Sequence, residues 1–215
     1  MKIPEKWTFK NSEVAENFDS HVNEQLPWYD LATKSVGFIC ENYIPEGGLV
    51  YDIGASTGNI GRTLAPTLKE RNANLIAIEE SKEMAEGYSG GGKLVISKAE
   101  EFNFEEFDVA ILFLVLMFCN TTEREFLIHR LKSRLRKGGA IIVFDKINGS
   151  AGYFDTVMKR LTLRWKLENG AKPEDILIKE LSLSGVQRPI DEHLLGKDAK
   201  KFFAFGEFGG WIIEG

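Results

Sequence analysis

Two cysteines, six prolines and three histidines in 215 residues leave little room for several kinds of chemistry. Cys40 and Cys119 lie far apart among apolar neighbours, which argues against a disulfide framework and reads as two buried thiols in a reducing compartment. His21, His129 and His193 show no metal-ligand spacing, so no metal site is expected. Long apolar runs are missing as well: Val109 to Cys119, at eleven residues, is too short to span a bilayer. Lys2, Glu5, Lys6 and Lys10 interrupt any leader-like stretch, and a cytoplasmic location is expected. Nor is there a surplus of positive charge. Against 27 Lys and Arg stand 32 Asp and Glu, a net charge of −5, which argues against a surface that grips duplex nucleic acid all over but leaves room for a local basic patch. What is present is apolar content of 43%, enough for one sizeable core and a single domain over residues 1–215.

Periodicity and turn signals divide the chain into four parts. Residues 1–44 read as N-terminal helices, over Val14–Phe18 and Leu31–Ile39, joined through Leu26-Pro27-Trp28-Tyr29. Residues 45–145 alternate strands with helices: strands at Leu49–Ile53, Leu75–Ile78, Leu94–Ile96, Asp108–Phe113 and Ala140–Phe144, the fourth apolar on both faces as a central parallel strand should be. Ser81 can cap a short helix over Lys82–Ala85, and an amphipathic helix over Leu127–Leu135 ends at Lys137-Gly138-Gly139. Residues 146–200 turn helical and charged, and residues 201–215 close with two strands, Phe202–Phe205 and Gly209–Ile213, added to the sheet edge. The expected fold is α/β: a Rossmann-like, seven-stranded, mostly parallel sheet with an antiparallel last strand and helices on both faces.

The chemistry starts where the first strand meets glycine, at Asp52-Ile53-Gly54-Ala55-Ser56-Thr57-Gly58. A strand feeding such a loop into a helix offers bare backbone N–H groups to a ligand. A carboxylate two residues before the first glycine suits a ligand amino group and disfavours a pyrophosphate. Glu79, at the end of the second strand, can accept both hydroxyls of a ribose. These residues, with Leu135-Arg136-Lys137-Gly138-Gly139 before strand five, resemble a class I S-adenosylmethionine-dependent methyltransferase. The resemblance implies S-adenosyl-L-methionine as cofactor, held by Asp52, Gly54, Ala55, Ser56, Gly58, Glu79 and Glu80. It also implies contacts from Ala99 and Glu100 near the adenine and from Leu112 on strand four.

A narrower likeness runs almost end to end. Trp7-Thr8-Phe9, Val14-Ala15-Glu16, Pro27-x-Tyr29, Leu112 to Phe118, Glu168-Asn169-Gly170 and Phe205-Gly206-Glu207-Phe208-Gly209 resemble the carboxy-S-adenosylmethionine synthases. That resemblance implies conversion of S-adenosylmethionine and prephenate to a carboxylated sulfonium used on wobble uridine in tRNA. The family binds that carboxylate with the arginine of a Lys-Arg pair. Here the pair reads Lys179-Glu180, and the family's aromatic after Asn-Gly is Ala171. A glutamate repels the group the guanidinium would hold. Lys179, Arg188 and Arg164 are the candidates to take over.

The departure points to ordinary methyl transfer from S-adenosylmethionine to a small molecule or RNA, by in-line displacement with no obligatory catalytic constellation. The alternatives are a carboxy-cofactor synthase or a non-catalytic cofactor-binding module. Asn-Pro-Pro-aromatic after strand four, a nucleophilic cysteine and a Lys-Asp-Lys-Glu set are all missing, which removes methylation of DNA exocyclic amines, of cytosine C5 and of ribose 2′-hydroxyls. Tyr29, Glu180 and Arg164 are the expected catalytic residues, with Tyr153 and Trp165 beside them in an acceptor pocket. Arg160, Arg164, Lys166, Lys172 and Trp165 form a possible basic–aromatic patch, and a homodimer is a further expectation.

Overall fold

The computed structural model describes residues 2–149 and 152–215. Seven strands form one sheet: β1 (Leu49–Ile53), β2 (Asn74–Glu79), β3 (Lys93–Ile96), β4 (Phe107–Phe113), β5 (Leu135–Lys146), β6 (Lys200–Phe205) and β7 (Phe208–Glu214). Their order is β3-β2-β1-β4-β5-β7-β6. Pairing is parallel from β3 through β5, while β7 runs antiparallel to both β5 and β6. The closing pair extends the sheet edge beyond β5, as expected, with the last strand antiparallel. β7 lies between β5 and β6 and is the one reversed strand, because the tight turn at Gly206-Glu207 folds it back on β6.

Alternation along the strands builds a core on each face. Val50, Val109, Ile111 and Phe113 pack against α3 (Tyr29–Glu41) and α4 (Asn59–Glu70) through Ala32, Val36, Ile60 and Leu64. Tyr51, Ile53, Ala110 and Leu112 pack on the other face against Leu127, Ile128 and Leu131 of α6 (Arg124–Arg134). Every residue of β4 is buried, as expected of a strand covered on both sides.

Two local expectations need correcting. The N-terminal region holds α1 (Ser12–Glu16) and a separate α2 (Phe18–Gln25), which its polar residues concealed and which only Phe18, Val22 and Leu26 at helical spacing betray. Strand five begins at Leu135, directly after α6. The Lys137-Gly138-Gly139 segment lies inside the strand at a register shift against β4, with Gly139 bonded to Gly215. The short α5 (Lys82–Glu86) is capped by Ser81, whose hydroxyl accepts from Met84 N–H, as expected. Beyond β5, α7 (Tyr153–Glu168) and α8 (Pro173–Ser182) lie over the carboxyl ends of the strands. No helix among the described residues is long and apolar enough to cross a membrane.

Candidate active site

A cavity of about 370 Å³ opens where the carboxyl ends of β1, β2 and β4 meet α2, α7 and α8. This is where open parallel sheets bind ligands, since the strand ends diverge there and leave backbone groups unpaired. On one side β1 runs into the glycine loop. Gly54 and Ala55 donate their N–H groups to Ile78 O at 2.8 and 2.9 Å, so the loop is stitched to β2 and Gly54 adopts φ +69°. Glu79 completes the stitching, accepting from Ser56 N–H and Ser81 N–H at 2.8 Å each. Burial raises the Glu79 carboxyl above its ordinary value, and those backbone donors hold it back.

Asp52 is buried at the foot of the loop, and burial, then the neighbouring Glu79 charge, push its carboxyl up to about 7. Its Oδ2 and the Ser56 Oγ have no hydrogen-bond partner among the described residues, although both residues line the cavity. A buried carboxylate oxygen without a donor is costly unless a ligand supplies one. An ammonium group and ribose hydroxyls are the donors that fit this acidic pole, so the residues present suit S-adenosylmethionine.

The N-terminal helices close over the loop. Asp19 of α2 accepts from Thr57 Oγ1 at 2.5 Å and from Arg62 at 2.9 Å, while Arg62 also donates to Thr57 O at 2.6 Å. Tyr29 lines the cavity, packs edge-on against Phe113 at 5.4 Å and keeps its phenol proton, because burial raises it strongly.

The segment after β4 forms the floor. Leu114 takes φ +62°, a strained conformation for a branched residue, and donates to Phe144 O at 2.7 Å. The turn is then held by Asp145, fully buried at the end of β5, which accepts from Leu116 N–H at 2.7 Å, Met117 N–H at 3.3 Å and Lys146 N–H at 2.8 Å. Asp145→Ala strands these donors, so it should cost about 3 kcal/mol of stability and weaken cofactor binding about tenfold. Thermal unfolding and a binding titration check this; an unchanged Tm would show that the turn holds itself.

The opposite wall is basic. Lys146, Lys166 and Lys179 line it with a single carboxylate, Glu180. Lys166 is buried and donates to Glu180 Oε1 at 2.9 Å. Lys146 is steadied by Gln187 at 3.2 Å. Trp7, pinned by its backbone N–H to Ser182 O at 2.9 Å, carries Lys179 on its indole face and stacks on His21 with ring centroids 5.6 Å apart.

Comparison with known proteins agrees with this geometry. A sequence profile described as a methyltransferase domain matches residues 51–143. The carboxy-S-adenosyl-L-methionine synthase of Staphylococcus epidermidis is 33% identical, covering 97% of this chain and 97% of its own. The chain belongs to this family. The carboxy-S-adenosyl-L-methionine synthase of Wolinella succinogenes is 28% identical, covering 82% of this chain and 77% of its own. Among solved structures, human N-acetylserotonin methyltransferase in complex with S-adenosylmethionine aligns with TM-score 0.60 and 12% identity, over 96% of this chain and 57% of that one. The plantazolicin methyltransferase BpumL, bound to S-adenosylhomocysteine, aligns with TM-score 0.63 and 13% identity, over 94% of this chain and 89% of that one. The protein is thus an S-adenosylmethionine-dependent enzyme with the class I methyltransferase fold.

In this carboxy-cofactor synthase relative, Asp52, Gly54, Ala55, Ser56, Glu79, Glu80, Ala99 and Glu100 line the cavity together, as do Tyr29 and Glu180. Three expected residues fall elsewhere. Arg164 projects from α7 into solvent and pairs with Glu168 one turn on, at 2.7 Å, so it faces no reacting group. Leu112 sits inside the sheet against the α6 face. Gly58, at φ +93°, packs its backbone on Gly90 and not on the cavity. Tyr153 and Trp165 are likewise exposed, and Lys166 turns inward, away from the exposed Arg160, Arg164 and Lys172. Sequence reasoning passed over His21, Gln25 and Lys146 as site residues. The first two ride on the overlooked α2; the third follows Asp145 at the carboxyl end of β5, the position from which doubly wound sheets present functional side chains.

Proposed function

We propose that this protein carboxylates the sulfonium methyl of S-adenosylmethionine, with prephenate as the carboxyl donor that the family resemblance implies. The observation that supports it is the Lys166–Glu180 pair at 2.9 Å. Glu180 stands where the family's arginine is expected, but it is already neutralised: burial alone would raise its carboxyl, and Lys166 together with neighbouring cations outweighs that and lowers it below the ordinary value. An incoming carboxylate therefore meets no bare negative charge. It meets Lys146, which has no carboxylate partner among the described residues, on a wall with more ammonium than carboxylate groups. The cavity is bipolar: Asp52 and Glu79 receive the cationic and hydroxylic parts of the cofactor, and the lysine wall receives an anion. The bound sulfonium supplies a methyl group that is both acidic and electrophilic. The apolar walls at Phe9, Phe18, Phe118 and Leu183 exclude water from the donor's ring. The product would serve uridine modification in tRNA, as in the family.

Competitive titration with S-adenosylmethionine and its carboxylated form tests this reading, with mass spectrometry of the small molecule that the purified protein retains. Carboxy-S-adenosylmethionine should bind more tightly, and Lys146→Met should remove about tenfold of that preference while leaving S-adenosylmethionine affinity intact. Preference for S-adenosylmethionine, with turnover to S-adenosylhomocysteine on an acceptor, would make the protein an ordinary methyltransferase. Binding without any turnover would make it a cofactor-binding module.

A further inference from the structure

Lys179 is the one side chain of the basic wall that neither the cofactor nor the carboxylate chemistry requires. It is carried on α8, is nine-tenths buried, and lies against the face of Trp7 at the edge of the cavity. The titratable groups around it are Lys166 from α7, Glu180 from its own helix and His21 from α2. Glu180 is the only carboxylate on this wall, and Lys166 holds it at 2.9 Å. Lys179 thus has no carboxylate partner among the described residues, although little of its side chain is exposed. An ammonium buried without a counter-ion gives up its proton more cheaply than it stays charged. Burial first, and then the Lys166 charge, bring Lys179 down to about 5. His21, stacked on the same indole and lowered to about 4 by burial, then Lys179, then Lys166, brings no positive charge at neutral pH.

A neutral amine beside a second cation in an apolar pocket is a nucleophile toward carbonyl carbon at neutral pH. We propose that Lys179 is a carbonyl-reactive amine that condenses with the keto group of a small α-keto acid in this cavity, the acid's carboxylate resting on the neighbouring Lys166. The Nζ lone pair forms the new C–N bond. The carbonyl oxygen then leaves as water, taking both protons from the former amine, and a C=N bond remains. Once protonated, such an imine draws electrons from the adjacent carbon and eases loss of a proton or of CO₂ beyond it. The inference does not rest on the carboxylation reading: a methyltransferase with this wall would carry the same amine.

The full-length protein is incubated with pyruvate and cyanoborohydride from pH 6 to 9, and the adduct is located by intact mass and peptide mapping. One saturable adduct on Lys179 is expected, formed at pH 7 about tenfold or more faster than on any other lysine. Lys179→Met, which keeps the length and the absence of charge but carries no amine, should lose that adduct while keeping a cooperative melt. If this variant does not fold, labelling of the wild type by trinitrobenzenesulfonate decides instead, with one lysine reacting at neutral pH ahead of the rest. Absence of an adduct overturns the proposal. So do adducts spread over surface lysines with a rate that climbs about tenfold per pH unit up to pH 9.

Discussion

Asp52→Ala should lower S-adenosylmethionine affinity about 100-fold while the ligand-free protein folds as well as the wild type. The two halves of this result have one cause. The Asp52 carboxylate is buried with Oδ2 unpartnered, so in the free protein it costs stability, and it repays that cost only when a cation arrives. A charge-assisted hydrogen bond in such a place contributes about 3 kcal/mol. The pH dependence carries the same signature. Asp52 titrates near 7 in the folded protein, and a bound ammonium favours its ionised form, so binding releases a proton. Affinity should therefore rise by up to about tenfold per pH unit as pH climbs toward 7, and level off above. For the ligand-free protein the sign is opposite. Between the ordinary value of 3.8 and about 7 the folded state binds more protons than the unfolded state, so Asp52 lowers stability as pH rises through that window. Asp52→Asn should flatten both profiles. Calorimetry in buffers of different ionisation enthalpy measures the proton directly, and wild-type binding without proton release would sink the assignment.

Gly58→Ala should destabilise the protein by about 2–4 kcal/mol, a larger loss than alanine causes at most surface positions. Gly58 sits at φ +93°, where a side chain is strained, and a Cβ there would lie 2.6 Å from the Gly90 Cα. Two backbones meet at this point, since Ser89 N–H also bonds Thr57 O at 3.0 Å. The damage should therefore appear in the melting temperature of the ligand-free protein, with cofactor affinity falling only as the loop shifts. A Tm within a degree of the wild type would mean that the Gly90 segment can move aside. Loss of affinity at unchanged Tm would return Gly58 to a direct cofactor role.

The first of these residues lines the cavity and the second does not, for a physical reason. Asp52, Gly54 and Glu79 belong to a strand–loop–helix unit whose geometry is local, so their spacing alone predicts that they converge. Gly58 shows the same left-handed conformation in sequence terms, but whether a glycine admits a ligand or a neighbouring loop depends on what the chain returns some thirty residues later. Leu112 packs toward α6 and not into the cavity, which alternation alone does not decide, because period two assigns a face only when the strand's register is known. Arg164 and Lys166, two residues apart on α7, went opposite ways, Arg164 into solvent and Lys166 into the cavity. Polar sequence on that helix gave no stripe by which to choose.

The sequence by itself determined the α/β alternation, the loop chemistry at Asp52-x-Gly54 and Glu79, and the substitution of Glu180 for the expected arginine. Each of these is written in residue type and short-range spacing. Only the tertiary structure decided what Glu180 means. A glutamate read alone repels a carboxylate, whereas one held at 2.9 Å by the buried Lys166 does not, and it leaves Lys179 without a counter-ion. That partnership joins two residues fourteen positions apart on two helices. It is set by how α7 and α8 pack over the strand ends, and burial together with the neighbouring charges sets the protonation of Glu180 and Lys179 there.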